Sequence, residues 1–199
     1  MTDDRLFPAT AMPDRDWWQA LWPDPEGVLR RLGLRAGLTV ADLCCGDGYF
    51  TAALARLVRG RVYAVDLDPA MLTRARREVE GAGASVLEYI AADARELAKA
   101  LPETVDCVLM ANTFHGVPEQ TALARAVAAT LKPGGRFIVI NWHTRPRGET
   151  TVLGQPRGPK TELRMAPERL RGAVEPAGFE LESLLELPPY HYGAAFRRS

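Results

Sequence analysis

Apolar and polar positions alternate along the chain with two periods. Leu38-Thr39-Val40-Ala41-Asp42-Leu43-Cys44 is a near-continuous apolar run, the pattern of a strand covered on both faces. Phe50, Ala53, Leu54, Leu57 and Val58 then fall three and four residues apart, as on one face of an amphipathic helix. The alternation repeats. Strands are predicted over 61–66, 85–91, 106–111 and 136–141. Between them lie a helix opening at Pro69, with Leu72, Ala75 and Val79 on one face and Gly81 at its end, a short helix near Leu97, and a helix from about Pro118 marked by Leu123, Val127 and Leu131. Five strands alternating with helices predict an α/β fold, a mostly parallel sheet with helices on both faces. Ligands of such sheets sit at the carboxyl ends of the strands, beside the first strand where the order reverses.

The two ends depart from the pattern. Trp17, Trp18, Leu21 and Trp22 share one helical face, and Asp24-Pro25-Glu26 reads as the cap and first turn of a second helix through Leu32. Residues 142–166 form a Gly-, Pro- and Arg-rich loop too long for a simple connection. A helix over 167–177 follows, with Ala166 as a poor cap. Two strands over 179–187 and 190–197, joined at Pro188-Pro189, then predict an antiparallel ending on the parallel sheet.

Composition narrows the function. The 199 residues fit one domain, and 47% hydrophobic with 25% charged residues is ordinary for a globular chain. Acidic and basic residues balance at 25 each, so nothing suggests a nucleic-acid or anionic-membrane surface. No apolar run reaches the ~18 residues of a membrane span, and the first 30 residues do not pattern as a signal peptide. Cys44, Cys45 and Cys107 lack the spacing of a zinc site or a disulfide framework, so no metal is expected and the reducing cytoplasm is the expected compartment.

The chemistry concentrates where the first strand runs into Cys44-Cys45-Gly46-Asp47-Gly48 and then a helix. A Gly-x-Gly turn before a helix lets backbone approach a ligand, but by itself it is a weak signal. Asp66, 20 residues after Gly46, ends the second strand where an acid can accept both ribose hydroxyls of a nucleoside. Asp93 follows the third strand, and Leu131-Lys132-Pro133-Gly134-Gly135 makes a turn into the fifth. A dinucleotide site wants a third glycine or alanine where Thr51 stands, and the acids Asp42 and Asp47 would repel a pyrophosphate. An acidic turn suits the ammonium and sulfonium of S-adenosylmethionine. An NAD(P)-dependent oxidoreductase and a non-catalytic S-adenosylmethionine-binding module are the alternatives.

With these residues in register, the chain over about 38–197 resembles the class I S-adenosylmethionine-dependent methyltransferases, of the small ubiquinone-biosynthesis-methyltransferase-like kind. The family's first motif, D-x-G-x-G-x-G, is matched by Asp42, Gly46 and Gly48, with Cys44 in a slot usually held by glycine. The resemblance implies a Rossmann-like seven-stranded sheet of order 3-2-1-4-5-7-6 with its last strand antiparallel. It implies that Asp66 binds ribose, that Leu67 and Met71 pack on adenine, that Asp93 and Ala94 hold its edge, and that Asn112 lines the methyl-transfer region. Residues 1–37 precede a methyltransferase domain over 38–199, and their tryptophan face reads as a helical lid over the methyl site, as a helix packed on the core, or as both.

The acceptor is less legible. A small molecule is the default, a phenol or quinone, an amine, a carboxylate or a thiol, because the chain has no room for a large substrate domain. All three histidines fall at expected strand ends: His115 after the fourth, His143 after the fifth, and His191 near the last. His115 and His143 are the candidate bases. Trp17, Trp18, Trp22 and His191 are candidate acceptor contacts. The loop carries Arg145, Arg147, Arg157, Lys160 and Arg164 against Glu149 and Glu162, which reads first as a solvated basic loop and alternatively as a flap gripping an anionic acceptor.

Overall fold

The computed structural model describes Phe7 and residues 11–199. Its first five strands are β1 (Val40–Leu43), β2 (Val62–Asp66), β3 (Glu88–Ala91), β4 (Val105–Ala111) and β5 (Leu131–Trp142). A two-stranded flap hairpin, β6 (Thr151–Val152) and β7 (Gln155–Pro156), precedes the last two strands, β8 (Phe179–Leu187) and β9 (His191–Arg198). The main sheet runs β3-β2-β1-β4-β5-β9-β8. β1 to β5 are parallel, and β9 lies antiparallel between β5 and β8. That is the order and the antiparallel last strand implied by the resemblance.

Alternation along β5 divides the core. Ile138 and Ile140 join one buried cluster, while Phe137 and Val139 join the other, as period-2 side chains must when both faces are covered. The first cluster is roofed by α1 (Arg15–Leu21), α2 (Pro25–Arg31), α3 (Tyr49–Val58) and α4 (Pro69–Gly81). The second is roofed by α5 (Leu97–Ala100), α6 (Gln120–Thr130) and α7 (Pro167–Val174). Local chemistry sets the helix starts. Asp24 accepts from the Gly27 N–H at 2.8 Å with Pro25 in the first turn, and Asp68 does the same for Ala70 before Pro69. Ala166 offers no side-chain cap to α7, whose last turn tightens into a 3-10 turn over Glu175–Ala177.

Two strand boundaries differ from the sequence pattern. β3 begins at Glu88 rather than residue 85: its register on β2 starts at Tyr63 opposite Glu88, preceded only by a 2.7 Å bond from the Leu87 N–H to the Val62 carbonyl. β5 begins at Leu131 rather than residue 136. Leu131 pairs with Val105 and Arg136 with Cys107, so residues 132–135 bulge out opposite Asp106. Lys132 ties the bulge down with a 2.8 Å bond to the Asp106 carboxylate.

Trp17, Trp18, Leu21 and Trp22 are buried in the same cluster as α3 and the sheet, and the Trp18 and Trp22 rings stand edge-on to Phe50 at 6.4 and 5.3 Å. From α1 onward the N-terminal extension is therefore part of the domain core. Residues 1–6 and 8–10 of the extension expected over 1–37 lie outside the described residues.

Candidate active site

The carboxyl ends of β1 to β5 open into one cavity of about 1330 Å³. That exceeds the roughly 300–1,000 Å³ of a single-ligand pocket and leaves space for two ligands side by side. The turn after β1 forms its floor. Asp42, Cys44, Gly46 and Asp47 all line the cavity. Asp42 is buried and accepts the Thr51 hydroxyl at 2.7 Å. Burial pushes its carboxyl up to about 7, against the Thr51 hydrogen bond and with help from the Asp66 charge. Burial also raises Asp47, which lies 3.8 Å from the Arg15 guanidinium. Cys44 has φ +59, a left-handed conformation that glycine would adopt without strain, and burial pushes its thiol far above the usual range. A neutral, half-buried thiol here is a wall rather than a nucleophile.

The two glycines of the turn have different reasons. At Gly46 (φ +55) an added Cβ would meet the Met12 thioether at 2.4 Å, so the segment before α1 folds over the turn. Gly48 (φ +88) does not line the cavity. A Cβ there would fall 2.6 Å from the Ala75 Cα, so α4 packing on the turn already requires glycine here.

Asp66 ends β2 and accepts the Gly46 N–H at 2.8 Å and the Asp68 N–H at 3.0 Å. Two backbone donors fix its orientation and leave lone pairs toward the cavity. Leu67 and Met71 form the wall beyond it, and Asp93 and Ala94 the facing wall. The Asp93 carboxylate also grips Arg95, with its Oδ1 accepting both the backbone and the Nε hydrogens at 2.9 Å. Asn112, after β4, sits at φ +60 with both side-chain polar atoms buried and without a hydrogen-bond partner among the described residues. A buried amide left this way is costly unless a ligand completes it.

The histidines separate. His115 is buried and lines the cavity, and its Nδ1 lies 2.9 Å from the Asn141 Oδ1. That oxygen also accepts the Trp142 N–H at 3.2 Å, so it is an acceptor and His115 carries its proton on Nδ1. Nε2 is thus the basic nitrogen. His143 does not line the cavity. β5 alternation sends Trp142 into it and turns His143 away, onto Glu186 at 2.9 Å and the Tyr192 ring. His191 is not at the cavity either. It pairs with Trp142 across β5 and β9 and is sandwiched between the Trp22 and Trp142 rings, where burial depresses its basicity strongly. Trp17 and Trp18 line the cavity, whereas Trp22 packs behind them.

The loop after β5 closes the remaining side, with Arg147, Arg157 and Lys160 on the lining. Its organiser is Arg164, which is buried. Arg164 donates to the carbonyls of Arg145, Arg157 and Pro159 and to the Thr150 hydroxyl, at 2.8–3.1 Å, with its guanidinium over the Trp142 ring. Asn141, Met12 and the distinct position of Arg157 were not singled out by the sequence pattern, and Thr51 entered it only as the residue in a third-glycine slot.

An acidic turn after β1, an acid at the end of β2 and a sheet of this order define a Rossmann-like protein of the methyltransferase type. Residues 40–135 match the family model for a methyltransferase domain. The chain is 32% identical over 173 residues to the ubiquinone/menaquinone biosynthesis C-methyltransferase of Klebsiella pneumoniae, an alignment covering 74% of this chain and 68% of that one. It is 34% identical over 140 residues to a ubiquinone biosynthesis O-methyltransferase of Xanthomonas euvesicatoria, covering 65% and 57%. It superposes on a SAM-dependent methyltransferase from Aquifex aeolicus with a TM-score of 0.77 at 25% identity, covering 94% of both chains. The chain belongs to the class I S-adenosylmethionine-dependent methyltransferases, and the NAD(P) reading of the glycine turn is set aside.

Proposed function

We propose that the protein methylates a small-molecule acceptor held between Trp17, Trp18 and His115. The observation that carries this reading is the shared cavity, in which the ends of five strands bring an acidic turn and a histidine of fixed tautomer together, with room for two ligands.

The residues fit the cofactor. Asp42 and the turn at Cys44–Gly46 would take the amino-acid end, and Asp47 adds negative potential beside it. Asp66 would accept the ribose hydroxyls, and Leu67, Met71 and Ala94 would cover adenine, with Asp93 at its edge. Asn112 has the unsatisfied amide that a bound ligand would complete. When bound, S-adenosylmethionine supplies a methyl group activated by its sulfonium.

The protein's part is alignment, exclusion of water and proton removal. Trp17, Trp18 and Trp142 line the acceptor space with apolar surface. The His115 Nε2 would take the proton that the acceptor must lose on methylation, and Asn141 would steady the resulting imidazolium through Nδ1–H. His115→Ala is expected to lower kcat by roughly 10²–10⁴-fold while cofactor affinity stays nearly constant. Unchanged turnover with an acceptor that must lose a proton would refute the base assignment.

A further inference from the structure

Acidic and basic side chains line opposite sides of the cavity, with Asp47 and Asp93 already facing Arg15 and Arg95. Asp42, Asp47, Asp66 and Asp93 come from the ends of β1 to β3, whereas Arg147, Arg157 and Lys160 come from the loop after β5. In the sheet order β2 and β5 are three strand spacings apart, roughly 14 Å at ~4.8 Å each. A cofactor bearing a sulfonium and an ammonium answers the acidic side and leaves the basic side without a counter-charge. Among the described residues none of the three cations forms an ion pair, although exposed Asp14 and Glu162 also line the cavity.

Arg157 is the built part of that side. Its N–H donates to the Thr150 carbonyl at 2.9 Å. Its carbonyl accepts from the Thr150 hydroxyl at 2.9 Å and from buried Arg164 at 3.1 Å. The side chain lies over Trp17, with Cζ 5.4 Å from the ring, and its Nε is buried without a hydrogen-bond partner among the described residues. A guanidinium stacked on an aromatic face, with its backbone anchored and a donor unused, is organised for a planar or tetrahedral oxyanion. An acceptor with no oxygen at this point would leave that donor buried and unsatisfied, and an anionic oxygen, unlike a neutral one, also meets the guanidinium's charge.

We infer that the acceptor is an aromatic molecule carrying an anionic oxygen group, a carboxylate or a phosphate ester, which Arg157 binds on its Trp17 shelf while the ring lies against Trp18. This rests on the reading above of the cavity as a joint cofactor and acceptor site. Lys160 and Arg147, exposed at the rim, add long-range attraction rather than a fixed contact.

The test is isothermal titration of the protein saturated with S-adenosylhomocysteine, using 4-hydroxybenzoate, its methyl ester and phenyl phosphate as probes. At least one anion is expected to bind about tenfold or more tightly than the ester. In Arg157→Leu that preference should fall below about twofold, and in Arg157→Lys part of it should survive, with S-adenosylhomocysteine affinity unchanged in both. Whichever anion binds more tightly identifies the group. An ester that binds as well as both anions, no binding by any probe, or a preference that survives Arg157→Leu would overturn the inference. If the wild-type protein fails to bind S-adenosylhomocysteine, the joint-site reading itself falls, so the two failures are distinguishable.

Discussion

Replacing Asp42 with asparagine should stabilise the free protein and weaken cofactor binding, two effects of opposite sign from one buried charge. In the folded chain burial pushes the Asp42 carboxyl from 3.8 to about 7. Between those values the folded state holds a proton that the unfolded state has released. This group's contribution is therefore complete below about pH 4, falls by about 1.4 kcal/mol per pH unit, and is lost as pH rises through about 7, a change on the order of 4 kcal/mol. Asparagine keeps an acceptor for Thr51 and carries no charge, but its buried amide hydrogens cost ~1–3 kcal/mol if unpaired. The net expected at pH 8 is a gain of ~1–3 kcal/mol, a rise in Tm of roughly 2–12 °C for a chain this size. Cofactor binding runs the other way. A cationic ligand selects the ionised carboxylate, so wild-type affinity should be about tenfold weaker at pH 6 than at pH 8, and nearly independent of pH in Asp42→Asn. Scanning calorimetry without ligand and titration with S-adenosylmethionine at both pH values measure the two effects. A lower Tm for Asp42→Asn at pH 8, together with wild-type affinity unchanged between pH 6 and 8, would refute the reasoning.

Gly48→Ala should destabilise by ~2–4 kcal/mol, combining a left-handed backbone with a Cβ placed 2.6 Å from the Ala75 Cα. Urea denaturation checks it, and a loss under about 0.5 kcal/mol would show that α4 shifts freely. Arg164→Leu removes the donor that gathers three carbonyls and the Thr150 hydroxyl. It should raise the acceptor KM about tenfold or more while changing cofactor affinity less than about threefold, as steady-state kinetics and titration would show.

Much of the fold was legible because β1, β2 and β4 are buried on both faces and their apolar runs stand out between helical periods. The order at the sheet's far side followed from the resemblance and from the hairpin pattern around Pro188-Pro189. The start of β5 was not legible, since a four-residue bulge held by Lys132 and Asp106 depends on a partner strand. The site divides the same way. Asp42, Asp66 and Asp93 were readable from their positions after strands. Which histidine faces the cavity was not, because it depends on the phase of β5 and on the Trp142–His191 register. Thr51 served only to argue against a third glycine, while the fold makes it the hydrogen-bond donor to Asp42. The flap's charge was visible in the sequence, but only tertiary packing distinguishes Arg164, buried and structural, from Arg157, which lines the cavity.

The most direct test of the account is a crystal structure of the protein with S-adenosylhomocysteine. The account predicts the ribose on Asp66, adenine between Leu67 and Ala94, the amino-acid end on the Asp42 turn, and the sulfur facing the space bounded by Asn112, His115 and Trp17. A ligand bound outside this cavity, or one whose sulfur points away from His115 and the flap, would contradict it.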